Sequence, residues 1–329
     1  MSQLTAEHAA TQPFEVMVRG IRFEARDIYS FELTAPDFGD LPAFEAGAHI
    51  DVHLPGGLIR SYSLSSDPAN RRGWVLGILR EGKGRGGSRT MHDKLRVGDR
   101  LTVGPVRNAF ALSPHAAHTI LLAGGIGITP LKAMAHTLQA QGQSYELHYC
   151  AKTPAHAAFV DELKTLIPEG RLHFHYDGGD PTQGLDIAQL LSDIKPDTHV
   201  YYCGPSGFMT ACRDACAHWP SDSVHFEHFK VPKSAPATEQ IADGSFEVHL
   251  LRSGQTIVVK SDESIVRAIE MAGHRIMTSC LSGLCGSCKV DYVDGEVDHR
   301  DYILTDEEKT RCLTTCVSRA KSKSLSLDI

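Results

Sequence analysis

Cys280, Cys285 and Cys288 form a C-x4-C-x2-C run, and 27 residues separate Cys288 from Cys316. This is the thiolate spacing that holds a plant-type 2Fe-2S cluster, so the first chemistry the chain offers is one-electron transfer. Ser282, Gly283, Gly286 and Ser287, which fill the loop, are small. A backbone that wraps a cluster and aims N–H groups at sulfur needs such residues. Zinc is the competing ligand, but tetrahedral zinc usually recruits two Cys-x2-Cys pairs or adds histidines at close spacing; neither pattern occurs here. A disulfide framework fits no better, because nine cysteines are spread unevenly through 329 residues with no secretory signal. Cys312 rivals Cys316 as the fourth ligand; the loop-closing position fits Cys316 better.

Two further runs suit organic cofactors. In Arg60-Ser61-Tyr62-Ser63, a tyrosine can lie on the edge of an isoalloxazine ring, a serine can hydrogen-bond flavin N5 or O4, and an arginine can meet a phosphate bidentately. Alone, such a run is an ordinary alternating strand. Gly86-Gly87-Ser88 lies in a glycine-rich loop that opens a short helix, where converging backbone N–H groups favour an anion. Arg80 through Arg100 carry seven basic residues against Glu81, Asp93 and Asp99, an excess a phosphate pocket can use.

Gly124-Gly125-Ile126-Gly127-Ile128-Thr129-Pro130 follows an apolar strand and precedes a helix, the context of a dinucleotide loop, although its spacing is not G-x-G-x-x-G. Cys203-Gly204-Pro205 ends a later strand expected on the same sheet edge. The 18 histidines read as surface and packing residues without metal logic: only Cys216-Ala217-His218 touches a Rieske pattern, and no second pair completes it. Eight carboxylates stand between Asp291 and Glu308 against Arg300 alone, which reads as a solvated acidic loop or a docking surface beside the cluster.

These groups need scaffolds. Short alternating runs at 14–18, 28–33, 49–54 and 74–79 predict an antiparallel β-barrel over 13–112. Strand, glycine turn, helix and strand at 118–123, 130–138 and 145–150, with further strands at 171–176 and 199–203, predict an α/β parallel sheet over 113–230. A proline-containing linker over 231–244 then leads to an α+β domain at 245–329, with a hairpin at 246–259 and a helix at 264–271 stopped by Gly273. Net charge of −7 without a basic stripe argues against nucleic acid, and no segment has the apolar length of a membrane span. A cytoplasmic monomer is expected.

The order of these motifs is similar to that of the phthalate dioxygenase reductase and vanillate demethylase reductase family, from about residue 13 to the end. The resemblance implies FMN, NADH and a 2Fe-2S cluster on one chain, with the last domain a β-grasp-like plant-type ferredoxin and a separate Rieske-type oxygenase as partner. FMN rather than FAD follows from the family's Gly-Gly-Ser loop. It implies FMN contacts from Arg60, Ser61, Tyr62, Ser63, Gly86, Gly87 and Ser88, and NADH contacts from Gly124, Gly125, Gly127, Thr129, Pro130, Cys203, Gly204 and Pro205. It also places Ser63, Thr129, Cys203 and Phe229 at the reacting end, with the Cys203 thiol near nicotinamide C4 and Phe229 over the flavin; a core aromatic on a final strand is an equal alternative for Phe229. A flavin is required because nicotinamide gives up a hydride while the cluster accepts single electrons. The alternatives are an FAD-dependent reductase of a soluble monooxygenase or ferredoxin system, and an iron–sulfur redox sensor without turnover.

Overall fold

The computed structural model describes residues 12–82, 84, 86–229, 244–278, 280–284 and 286–329. The chain forms two compact units, Met1–Phe229 and Lys230–Ile329. The segment read as a linker lies outside the described residues except for Gly244. No helix among the described residues is long and apolar enough to cross a membrane.

In the first unit, Phe14–Ala25 (β1), Ile28–Thr34 (β2), His49–Leu54 (β3), Leu58–Ser63 (β4), Trp74–Leu79 (β5) and Arg100–Val103 (β6) form a sheet in the order β4-β3-β6-β1-β2-β5. All its pairings are antiparallel. A bridge between Leu64 and Leu76, with the Ser65 N–H on the Val75 carbonyl at 2.8 Å, joins the two edges into a barrel. The period-2 pattern sets the inward face: Val16 and Val18 are buried while Glu15 is exposed. Strand β6 escapes sequence reading because its four residues alternate exposed and buried without an apolar run. The helix Gly87–Lys94 (α1) follows β5 and buries Met91.

The chain then alternates: His118–Gly124 (β7), Ile128–Ala140 (α2), Ser144–Ala151 (β8), Val160–Leu166 (α3), Leu172–Tyr176 (β9), Ile187–Leu190 (α4), Thr198–Cys203 (β10), Ser206–Ala215 (α5) and Val224–Glu227 (β11). The five strands are parallel in the order β11-β10-β7-β8-β9. Strand order reverses between β7 and β10, and ligands of such sheets bind at the carboxyl ends beside that reversal. The continuous apolar run Ile120-Leu121-Leu122-Ala123 is what a strand covered on both faces requires.

One continuous core joins barrel and parallel sheet, with Phe31, Ile50 and Trp74 from the first and Leu131, Met134, Tyr149 and Phe159 from the second. Polar contacts reinforce it. Lys132 on α2 is fully buried, donates to the Ser65 carbonyl at 2.8 Å, lies 2.5 Å from Glu162 and sits 4.9 Å from the centre of the Phe159 ring. Burial pulls its pKa down, and Glu162 opposes that shift. Lys132→Ala would leave a cavity and a carbonyl without its donor, an expected loss of about 2–4 kcal/mol in denaturant unfolding. Glu162→Gln should cost less, about 1–2 kcal/mol, because its carboxylate is half-exposed and the Lys132 ammonium keeps the Ser65 carbonyl. Equal effects from the two variants would refute this assignment.

The second unit contains Phe246–Leu250 (β12), Gln255–Val259 (β13), Ile265–Met271 (α6), Lys289–Asp294 (β14), Val297–Asp298 (β15), Asp306–Lys309 (α7), Cys312–Thr314 (β16), Arg319–Ala320 (β17) and Ser324–Leu327 (β18). Its main sheet runs β13-β12-β18-β14-β16, with β12 and β18 parallel. Ile265, Ala268 and Ile269 of α6 pack with Val248, Leu250, Val259 and Leu325 of the sheet, so the sheet grips the helix. Ser264 accepts the Arg267 N–H at 3.3 Å to start α6, and Gly273 at φ 90° follows its end.

Candidate functional site

The carboxyl edge of the parallel sheet meets the barrel. Gly127 approaches β10 so closely that an added Cβ would fall 2.0 Å from the Cys203 carbonyl oxygen. Gly124 and Gly204 lie against the Phe208 ring, where added Cβ atoms would sit 3.0 and 2.6 Å from it. These glycines therefore let the β7–α2 turn and the β10–α5 turn stack. Gly125 differs: its φ is 53° and nothing lies within 4 Å of an added Cβ, so it faces open space. Pro130 is buried within the first turn of α2, where a missing N–H costs nothing. Thr129 is buried and donates to the Ile126 carbonyl at 3.0 Å. Its methyl group would lie 2.7 Å from a Cβ on Gly77 of β5, so this barrel glycine is what admits Thr129. Pro205 precedes α5 as its N-terminal flanking residue.

Ser63, at the end of β4, donates to the Glu227 carboxylate at 3.5 Å, and His49 Nδ1 lies 3.8 Å from the other Glu227 oxygen. Glu227 pairs with Cys203 across β10 and β11. Cys203 is fully buried, and burial, then the Glu227 charge, push its thiol well above the ordinary range. It is a neutral thiol. Sequence reading placed Ser63 and Cys203 here but missed Glu227 and His49, whose partners lie far along the chain. Phe229 follows β11 and is 37% exposed, which removes the plain core-aromatic reading.

Along β4, Tyr62 pairs with Ile50, and burial raises its hydroxyl pKa despite Arg60. The Ser61 hydroxyl is engaged within the barrel, donating to buried Asp51 at 2.7 Å; Arg107 lies 2.5 Å from the other Asp51 oxygen. An added Cβ on Gly87 would come 2.4 Å from Arg60 Cγ, so the Gly86-Gly87-Ser88 turn lies directly against the Arg60 side chain. Gly86 has φ 88° and no side chain caps the start of α1, whose first N–H groups suit an anion. The Ser88 hydroxyl accepts the Glu81 N–H at 3.0 Å and closes the loop. Lys83 and Arg85 lie outside the described residues.

In the second unit, Cys288 and Cys316 are buried beside Val266 and Val317. Their thiols hydrogen-bond each other, which together with burial raises the Cys316 pKa; the Gly283 N–H on its sulfur opposes this, and Cys280 adds to the rise. The Leu284 N–H donates to Cys280 sulfur at 3.3 Å. Three sulfurs thus converge with backbone donors aimed at two of them, a donor set that fits an iron–sulfur group. Cys285 lies outside the described residues. Cys312 points elsewhere, donating to the Glu308 carbonyl at 3.2 Å. Gly283, at φ 69°, would clash with Val317 and Asp301 if it carried a Cβ.

The acidic stretch is less uniformly solvated than composition suggests. Asp301 accepts from the Ile303 and Leu304 N–H groups, Asp298 pairs with Arg300, and Glu308 forms a capping box with Thr305 and a 2.9 Å pair with Lys289. Asp291, Asp294, Glu296, Asp306 and Glu307 are the exposed remainder.

Residues 248–321 match the 2Fe-2S iron–sulfur cluster binding domain, and residues 121–214 match the oxidoreductase NAD-binding domain. The tert-butanol monooxygenase / tert-amyl alcohol desaturase reductase subunit of Aquincola tertiaricarbonis is 46% identical over 95% of this chain and 95% of that protein. The vanillate O-demethylase oxidoreductase of Pseudomonas sp. (strain HR199 / DSM 7063) is 43% identical over 96% and 99%. Among solved structures, phthalate dioxygenase reductase, described as modular for electron transfer from pyridine nucleotides to 2Fe-2S, aligns at TM-score 0.71 and 41% identity over 99% of this chain and 100% of that one. The chain, an oxidoreductase with NAD-binding and 2Fe-2S domains, belongs to the phthalate dioxygenase reductase and vanillate demethylase reductase family.

Proposed function

We propose that this protein is the cytoplasmic, monomeric reductase component of a Rieske-type oxygenase, built as an FMN barrel at 13–112, an NADH-binding sheet at 113–230 and a ferredoxin domain at 245–329. The observation that carries the reading is the junction of Ser63 with the sheet edge, 3.5 Å from Glu227 and one strand from Cys203. A flavin held there would supply the conversion between a two-electron hydride donor and a one-electron cluster. The chain's residues do the positioning. Arg60, Gly86, Gly87 and Ser88 would hold the FMN phosphate, with Tyr62 and Ser63 along the ring and Phe229 over it. Gly124, Gly125, Gly127, Pro130, Gly204 and Pro205 leave room for the nucleotide backbone, and Thr129 and the neutral Cys203 thiol shape the nicotinamide end. Cys280, Cys285, Cys288 and Cys316 would ligate the cluster. Shared architecture with reductases of a monooxygenase and an O-demethylase supports an oxygenase as electron acceptor.

The test is direct. Flavin released from the purified protein should be FMN, and the holoprotein should oxidise NADH, in preference to NADPH, and reduce its Rieske oxygenase. The nucleotide preference rests on Lys152, the one cation in the turn after β8. FAD in place of FMN would move the chain to the FAD-linked reductases, and negligible NADH oxidation would make it a sensor.

Docking gives a second expectation. Asp306→Asn with Glu307→Gln should slow reduction of the oxygenase by about threefold to tenfold at low salt, with the difference fading as salt rises. Glu308 is left intact because it caps α7. NADH-to-ferricyanide turnover should not change; an unaltered rate of oxygenase reduction at low salt places docking elsewhere.

A further inference from the structure

Glu146 and His148 alternate along β8, and His173 on β9 stands directly opposite His148 in the parallel register. Their side chains therefore share one face of the sheet. One ligand atom from each can be chosen so that all lie within 4.8 Å of one another. His148 Nε2 is 3.5 Å and His173 Nε2 3.9 Å from the same Glu146 oxygen, Oε2. Tetrahedral coordination at ordinary zinc–ligand lengths separates donors by about 3.3 Å, so a bound ion requires the His148 and His173 rings, stacked at 22° with centroids 4.7 Å apart, to turn until their lone pairs converge.

His148 supplies an independent observation. It is 6% exposed, and its Nε2 faces the Glu146 carboxylate at 3.5 Å without a well-formed hydrogen bond. Its other ring nitrogen, Nδ1, lies 3.1 Å from His175 Nε2. A metal ion at Nε2 would select the tautomer in which Nδ1–H is donated to His175, which is how a neighbouring acceptor supports a ligating histidine. His118 steadies the carboxylate: its Nδ1 meets the Ser144 hydroxyl at 2.8 Å, and its Nε2 lies 3.8 Å from Glu146 Oε1. Glu146 and His173 are partly exposed, which leaves a path from solvent.

We propose that Glu146, His148 and His173 bind one divalent transition-metal ion of the imidazole-preferring class, separately from the cysteine loop. Two neutral imidazoles and one carboxylate suit zinc and its late first-row neighbours, and the ion would tie β8 to the edge strand β9. His175 acts as a positioning residue through His148, and the fourth position falls to water or His118.

The experiment uses the untagged holoprotein with flavin and cluster in place, so that the cysteine loop is filled. After zinc addition and gel filtration, elemental analysis should show one equivalent of zinc more in the wild type than in His148→Ala/His173→Ala. Calorimetry with zinc should show His175→Ala weakened by roughly 10–100-fold, with partial recovery in His175→Gln, whose amide oxygen can still accept from His148. Cobalt should give a visible ligand-field spectrum with the wild type that Glu146→Gln, a near-isosteric variant, lacks. Unchanged flavin and iron content keeps the variants comparable. Equal zinc uptake by wild type and double variant, or a cobalt spectrum untouched by Glu146→Gln, overturns the proposal and leaves a proton-bonded histidine–carboxylate cluster.

Discussion

Cys316→Ala should purify with its flavin but with almost no iron, and should pass no electrons to the oxygenase while still reducing ferricyanide from NADH. The expectation follows from the sulfur geometry. Cys316 shares a hydrogen bond with Cys288, lies near Cys280 and receives the Gly283 N–H, so its loss removes one corner of the donor set. The flavin should survive because the cysteines belong to Lys230–Ile329, and the barrel and parallel sheet to Met1–Phe229. Cys312→Ala is the control. Its thiol is spent on the Glu308 carbonyl, so that variant should keep full iron content and the wild-type visible spectrum. A cluster lost from Cys312→Ala and retained in Cys316→Ala would reverse the ligand assignment.

The features legible in the sequence are those whose partners are close along the chain. The cysteine run, the glycine turn between β7 and α2, and the Ser264 to Gly273 helix signals are local patterns with local causes. Even inside the acidic stretch local signals existed: Thr305-x-x-Glu308 spells a capping box, and Asp301 two and three residues before Ile303 and Leu304 spells a turn, although charge counting alone overlooked both. Contacts made by folding were not legible. Ser63 and Glu227 are 164 residues apart, and Lys132 and the Ser65 carbonyl 67. Likewise, Glu146-x-His148 and His173-x-His175 carry a period-2 pattern each, but only the β8–β9 register makes them one cluster. Reading the histidines one segment at a time, as packing and surface residues, could not join them.

Gly127→Ala should damage the nucleotide site far more than Gly125→Ala, although the two residues are neighbours in one glycine turn. Gly127 has an ordinary helical φ of −63°, so its need for glycine is not conformational. It is steric: the new methyl would lie 2.0 Å from the Cys203 carbonyl oxygen and 2.7 Å from the Gly204 nitrogen, and backbone atoms cannot swing aside as a side chain can. Relief requires the start of α2 to move away from the end of β10 by about 1 Å, since unstrained carbon–oxygen contacts need more than 3 Å. That movement would shift Thr129 and Cys203 relative to each other and to Gly77 of the barrel. Overpacking of this kind costs about 1–3 kcal/mol or more in stability, and a displacement of that size at a reacting centre can cost about 100-fold in rate. The expected result is a fall of about 100-fold in kcat/KM for NADH, with flavin still bound and still reducible by dithionite. Gly125→Ala meets no atoms and pays only for its left-handed φ, about 1–2 kcal/mol, so it should lower kcat/KM about tenfold or less, mainly through KM. Pre-steady-state flavin reduction by NADH measures both variants. If Gly127→Ala reduces flavin as fast as Gly125→Ala, the approach of α2 to β10 does not set the nicotinamide geometry.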